Sequence, residues 1–166
     1  MKGSDMSLGF TVSGRIAKPP HEVFDAVVNP TKLSRYFTTL GGADAPLTPG
    51  AVVTWWGSVP VNVDEVTLDQ RIVLRWDADT ADGQPAFKTR IVMEFEPLDD
   101  GSTFVTIAES GWADDDAGKK ASFANCEGWA AMLSAMKAWL EYGINLREGF
   151  YPSEMRGALP TSDNRK

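Results

Sequence analysis

Apolar and polar residues alternate with period two through most of the first 110 positions, and between Ala117 and Tyr142 the period changes to that of a helix. In the later stretch Trp129, Leu133, Met136 and Leu140 stand at i, i+4, i+7 and i+11 and form one stripe, which Cys126 and Met132 widen. About 26 residues at 1.5 Å each would make a helix of roughly 39 Å. Such a helix needs a large apolar surface to cover its stripe, and the preceding strands are the candidate. The pattern therefore predicts an α+β domain: a curved antiparallel sheet closed over one long C-terminal helix, with room for a cavity between them.

The strand readings begin with Phe10, Val12, Gly14 and Ile16, which alternate with Thr11, Ser13 and Arg15 and stop before Pro19-Pro20. Glu22 to Val27 then reads as a short helix with proline in its first turn. Asn29-Pro30 ends it, and Thr31 to Phe37 reads as a second. After the Gly41–Gly50 cluster come five further strand candidates: Ala51–Trp56, Val59–Leu68, Arg71–Asp79, Ala86–Glu96 and Thr103–Ser110. Turn signals at Gly57-Ser58, Asp69-Gln70, Asp82-Gly83 and Asp99–Gly101 separate them. Ile72, Leu74 and Trp76 share a face, and Phe87, Thr89, Ile91, Met93 and Phe95 share another. One sheet face is thus apolar and the other wet. Asp114–Asp116 stand where carboxylates cap a helix and favour its dipole. Gly128, inside the helix, points to a bend or a closely approaching neighbour. Residues 1–7 are expected to be flexible, 8–151 to form the domain and 152–166 to be a polar tail, with Gly143–Tyr151 able to pack back on the domain.

At 166 residues the chain fits one domain, with a core that needs neither metal nor disulfide. Its net charge of −7 and pI of 4.7 repel phosphate backbones and anionic lipid, so neither nucleic acid nor membrane is an expected partner. The first seven residues lack the apolar core of a secretory signal, and Cys126 is a lone cysteine, which together predict a cytoplasmic location.

Candidate chemistry is sparse. His21 is the sole histidine and stands beside Pro20 at a helix start, where exposure is expected, so a Ser-His-Asp or Cys-His site has little to draw on. One histidine and one cysteine leave no zinc ligand set. Asp114–Asp116 lack the alternating spacing of a calcium loop and read as a solvated cap. No phosphate-cradling glycine loop is present, and no cofactor is expected.

Inward-facing polar residues carry more information. Glu109 follows Val105 and Ile107 at period two and Thr89 lies among apolar neighbours, so Glu109 is either a ligand-orienting carboxylate or general base, or a strand-end group reaching solvent or a helix side chain. Glu65, in phase with Val59, Val61 and Val63, carries the same ambiguity. Trp55, Trp76, Trp112 and Trp129 are either plain core or the shared lining of a pocket, since four indoles between a sheet and one helix are hard to pack without a void.

Several segments together resemble the activator of Hsp90 ATPase homologue 1-like family of the START-like, or SRPBCC, superfamily. They are Arg15–Phe24 (RIAKPPHEVF), Asn29–Phe37 (NPTKLSRYF), Thr48–Gly50, Met93–Thr103 (MEFEPLDDGST) and Gly128-Trp129, in that order, within residues 8 to 145. The resemblance implies the helix-grip fold: a strand, two short helices, antiparallel strands to a total of six or seven, and a long C-terminal helix gripped by the sheet. It also implies binding of hydrophobic small molecules in a central cavity, some relatives being cyclases, hydrolases or dehydratases, with no shared catalytic set to carry over.

The reading is then a domain that binds a small apolar or aromatic ligand. Trp55, Trp76, Phe87, Met93, Trp112, Trp129, Leu133 and Met136 are its expected walls, and Thr89 and Glu109 its polar anchors. A cyclase- or hydrolase-type enzyme using Glu109 or Glu65, and a co-chaperone-like interaction module, are the alternatives. A homodimer stays open, and chaperone contact has only the acidic surface in its favour.

Overall fold

The computed structural model describes residues 7–80 and 82–152. Six strands form one antiparallel sheet: β1 (Leu8–Ile16), β2 (Val52–Trp55), β3 (Val59–Thr67), β4 (Arg71–Asp77), β5 (Lys88–Pro97) and β6 (Thr103–Trp112). Their order across the sheet is β1-β6-β5-β4-β3-β2, so the N-terminal strand crosses to pair with the last one and every other neighbour is a hairpin partner. Helices α1 (Pro20–Val28) and α2 (Pro30–Leu33) follow β1, and α3 (Asp116–Tyr142) closes the fold. This is the helix-grip arrangement. The N-terminal residues 1–6 and most of the expected tail lie outside the described residues.

Local chemistry sets the helix boundaries. Asn29 ends α1 and caps α2, its side-chain oxygen accepting from Thr31 N at 3.0 Å and Lys32 N at 3.3 Å. The second helix is shorter than the predicted Thr31–Phe37. The Ser34 hydroxyl donates to the Pro30 carbonyl at 2.7 Å, and Phe37 N and Thr38 N both return to Leu33 O, which winds the chain out of the helix. At the start of α3 Asp115 accepts from Gly118 N at 2.7 Å, as the acidic run predicts. At its end Gly143 takes the left-handed conformation, φ 69°, and Gly143 N and Ile144 N satisfy the carbonyls of Trp139 and Ala138.

The stripe on α3 lies against β1 and β6, with Trp129, Met132, Leu133 and Met136 buried and Leu140 packed at the margin. Leu133 reaches down onto Gly14, where a Cβ would stand 3.4 Å from Leu133 Cδ2, at the edge of ordinary contact. Truncating Leu133 or Met136 to alanine should cost about 2–5 kcal/mol by the usual core scale. At the far end of the helix Glu141 accepts from Ala17 N at 3.0 Å and pairs with Lys137. Burial works to raise the Glu141 carboxyl, but Lys137 and the Ala17 N–H outweigh it and hold it below its ordinary value.

Two strand readings are corrected. In β3 the register shifts between Val63 and Glu65, so Val63 faces Leu74 while Glu65 faces Val73 on the outer side. The extra residue of this bulge reverses the phase, and Glu65 ends exposed, bonded to Arg71 at 2.8 Å. Further on, β5 begins at Lys88, leaving Ala86 and Phe87 outside it. The β5–β6 ladder stops at Arg90–Ser110, beyond which Gly111 takes φ 125°. Phe87 therefore stays 37% exposed instead of joining the inner face.

The β5–β6 turn is tied to β1. Asp100 accepts from the Ser102 hydroxyl and from Ser102 N, and pairs with Arg15 Nη2 at 2.7 Å. These contacts, the Ser102 hydroxyl foremost, hold the Asp100 carboxyl down at about 2. A carboxyl depressed in the native state stabilises it above the unfolded value, ~3.9, and that contribution disappears as pH falls through the native value. Asp100→Asn is expected to lower the urea midpoint at pH 7. The gap to wild type should narrow below pH 5 and close near pH 2, and a gap that does not change with pH would contradict the assignment.

Candidate functional site

The sheet register brings inward-facing residues of three adjacent strands to one end of the sheet. Trp76 on β4 lies opposite Thr89 on β5, and Glu109 on β6 lies opposite Ile91, one inward position along from Thr89. Asn125 and Trp129, four residues apart and so on one face of α3, come down on the same place. Glu109 is the meeting point. Its side chain is 1% exposed. Trp129 Nε1 donates to its Oε1 at 2.8 Å, Trp76 Nε1 to its Oε2 at 2.9 Å and Thr89 Oγ1 to Oε2 at 2.5 Å. Asn125 Nδ2 lies 3.1 Å from both oxygens. All of these donors are neutral, and a buried carboxylate is tolerable only when hydrogen bonds of this kind replace its hydration.

The two indoles held this way stack on each other, ring centroids 5.3 Å apart. Around them stand Phe37, 5.5 Å from Trp129, and Trp55 and Trp56, 6.1 and 6.3 Å from Trp76. Trp56 occupies the left-handed region at φ 53° in the β2–β3 turn, a costly conformation for a large side chain. Its Nε1 donates to Phe37 O at 3.1 Å. Trp55 Nε1 is buried with no hydrogen-bond partner among the described residues.

Beside this aromatic cluster is a cleft of about 130 Å³ lined by Phe37, Trp56, Trp76, Asn125, Gly128 and Trp129 together with Arg147 and Tyr151. The C-terminal segment does pack back: the Arg147 guanidinium carbon lies 5.3 Å from the Phe37 ring centre, 5.6 Å from Trp56 and 5.1 Å from Tyr151. The same segment, with Leu146, Arg147, Phe150 and Tyr151, borders a groove of about 240 Å³ along α3.

The ten expected site residues fall into three places. Trp76 and Trp129 wall the aromatic cleft, with Thr89 and Glu109 behind them. Trp55, Met93, Leu133 and Met136 belong to the packed seam between sheet and helix, where Met93 and Met136 are fully buried. Phe87 and Trp112 line a separate cleft of about 480 Å³ at the start of α3, bordered also by Pro85, Asp79 and Asp115. Trp112 stacks on Phe10 at 5.8 Å and takes no part in the tryptophan cluster. The open volume beside Trp76 and Trp129 is thus at the end of the helix–sheet seam, whose middle is filled.

Sequence reasoning passed over Asn125, Trp56 and Arg147. Helical spacing could have flagged Asn125, four positions before Trp129. The other two reach the cleft through a turn and a terminal segment that carry no periodic signal.

A model of the family described as activator of Hsp90 ATPase homolog 1-like protein matches residues 17–141. The chain belongs to this family. Solved structures agree on the fold. A protein from Staphylococcus saprophyticus is 24% identical, with a TM-score of 0.67 over 84% of this chain and 96% of that one. The Aha1 dimer from Colwellia psychrerythraea is 18% identical, TM-score 0.64, over 82% and 98%. An HSP90 activator from Plasmodium falciparum is 17% identical, TM-score 0.65, over 82% and 96%. At these identities the likeness is one of fold. Comparison with curated proteins gives no match. Among the described residues no helix is long and apolar enough to cross a membrane, and no three His, Cys, Asp or Glu side chains gather as a metal site. His21 is exposed, lies 2.8 Å from Asp69 Oδ1 and takes no part in lining the cleft.

Every neighbour of Glu109 in this arrangement is a donor, so an amide in its place would set an NH₂ against N–H groups and leave donors unpaired. Glu109→Gln is expected to lose about 1–3 kcal/mol of stability, a fall of several degrees in melting temperature at this chain length. Trp76 and Trp129 fluorescence should shift with it. A variant as stable as wild type would remove Glu109 from the centre of the site.

Proposed function

We propose that the protein is a cytoplasmic receptor for a small aromatic or apolar molecule, bound in the cleft beside Trp76 and Trp129. The observation that carries this reading is the pair of indoles locked onto Glu109. Their N–H groups are spent on a buried acceptor, so the walls they lend to the cleft are ring surface with no unmet polar demand. Their position is fixed in advance by hydrogen bonds, which lowers the ordering cost of binding. Apolar walls with few convergent polar groups, here Asn125 and Arg147, are the usual makeup of a small-molecule site.

The enzymatic alternative asks Glu109 to accept a proton from a substrate. Both its oxygens already accept two or more hydrogen bonds, and a general base must reach its substrate proton directly or through one water. Its saturated geometry suits an anchor. Glu65, on the wet face of β3, is also out of reach of the cleft.

Nuclear magnetic resonance with a set of one- and two-ring aromatic compounds tests the reading. A ligand should move the Trp76 and Trp129 indole signals and the amides of Asn125 and Gly128, with saturable quenching of tryptophan emission. Shifts confined to Phe87, Trp112 and Ala121 would relocate binding to the cleft at the start of α3, and silence across the whole set would reject the receptor.

A further inference from the structure

The sheet has two outer edges, and the chain treats them differently. At the β2 edge Asp44 N donates to Thr54 O at 3.1 Å, Thr54 N to Asp44 Oδ1 at 2.8 Å and Trp56 N to Gly42 O at 2.8 Å, so a neighbouring loop covers the backbone. At the other edge stands β1, whose only strand partner is β6. Alternation fixes which of its groups face outward. Leu98 N donates to Ser102 O across the β5–β6 turn, so the even residues of β6 serve β5 and the odd ones serve β1. In register these are Val105, Ile107 and Glu109, opposite Gly14, Val12 and Phe10. The N–H and C=O groups of Thr11, Ser13 and Arg15 therefore point out of the sheet.

The far end of this edge is closed from α3. Lys137 Nζ donates to Arg15 O at 3.3 Å, and Ala17 N donates to Glu141 Oε2 at 3.0 Å. Thr11 and Ser13 have no such cover among the described residues, and both are exposed. From Leu8 to Gly14 the strand carries no charge and no proline, the devices that keep an open edge from pairing with another chain. Phe123, in phase with Glu141 along α3 and so on the side of the helix that reaches this edge, is 71% exposed.

We propose that β1 is a pairing edge for a second copy of this chain, antiparallel about a two-fold axis at Val12. Thr11 then exchanges backbone hydrogen bonds with Ser13 of the second copy, and their hydroxyls meet on the wet face. Phe10 falls beside Gly14 of the second copy, where no side chain competes. Because α3 lies over β1 and β6, both helices come to the same face of the joined sheet, roughly two strand spacings or ~10 Å apart, the distance of packed helices. A bare peptide would fill the edge and leave Phe123 open; a second copy brings a strand and a helix together. The contact is small, below about 1,200 Å² in total, which places it among weak, micromolar interfaces.

Sedimentation velocity of the full chain between about 5 and 500 µM, with amide hydrogen exchange at both ends of that range, tests the pairing. A dimer half-formed at about 50 µM is expected. The Thr11 and Ser13 amides should slow at the high concentration, while Phe10, Val12 and Gly14 stay protected throughout. Ser13→Pro removes an outward N–H and none that serves β6, so it should raise the midpoint at least about tenfold. Thr11→Lys with Ser13→Lys, on exposed positions, sets lysines opposite each other across the axis and should do the same if the proline variant fails to fold. A chain that stays monomeric over the whole range would overturn the proposal and leave the edge to another protein's segment. Thr11 and Ser13 amides equally protected at both concentrations would overturn it in favour of cover by another part of the same chain. A double-lysine variant that dimerises as tightly as wild type would overturn it too.

Discussion

A carboxylate buried without a cation among its hydrogen-bond partners is the constraint around which this end of the molecule is arranged. Glu109 is out of solvent, and the donors on it come from β4, β5 and α3. Leaving such a group unsolvated would cost several kcal/mol. The strands and the helix must therefore meet in one register and one rotation for the charge to be tolerated. A slip of one residue in β4 or β5 would turn Trp76 or Thr89 to the outer face, and rotation of α3 by one residue would carry Asn125 and Trp129 away together. The carboxylate works as a specificity device: it adds little that an apolar residue could not, but it penalises other packings of helix on sheet.

That role explains the position of the aromatic residues. The helix lies over β1 and β6, so the β2–β4 side of the inner face has to be covered by something else. Phe37 from the turn after α2, Trp55 and Trp56 from the first hairpin, and Trp76 fill this wedge by edge-to-face contacts at about 5–6 Å. The cover is made of large rigid rings and carries strain, because Trp56 is held at φ 53° and the Trp55 N–H is buried without a partner among the described residues. Both features sit next to the cleft. Aliphatic packing would have avoided them, and strain of this kind is what functional sites tend to store.

The parts of the fold legible from sequence were those governed by a sustained period. The α3 stripe, the inward set of β1 and the inward positions Thr89 and Glu109 follow from counting, since each stands in a run whose phase is unbroken. The failures occurred where the phase breaks. An extra residue in β3 moved Glu65 to the wet face, and the ladder that would have carried Phe87 inward ends before Gly111. Trp112, beyond Gly111, went to Phe10 instead of the other indoles. The identity of Glu109's partners was out of reach for another reason: alternation says which face a residue occupies, and only the pairing register says which residues of three strands share a level.

Gly128 is a residue whose sequence reading failed for an informative reason. A helical glycine suggests a close neighbour, and among the described residues the space beside Gly128 contains none. A helix of 27 residues that keeps its apolar stripe buried, is capped at both ends and carries glycine facing open space has given up helix propensity where packing offers nothing in return. Stability alone would favour alanine there. Glycine there leaves the cleft wall open beside Asn125 and Trp129. Trp76 and Trp129, fixed by Glu109, present ring surface to the same cleft, so its shape owes as much to the side chain that is missing as to those that line it.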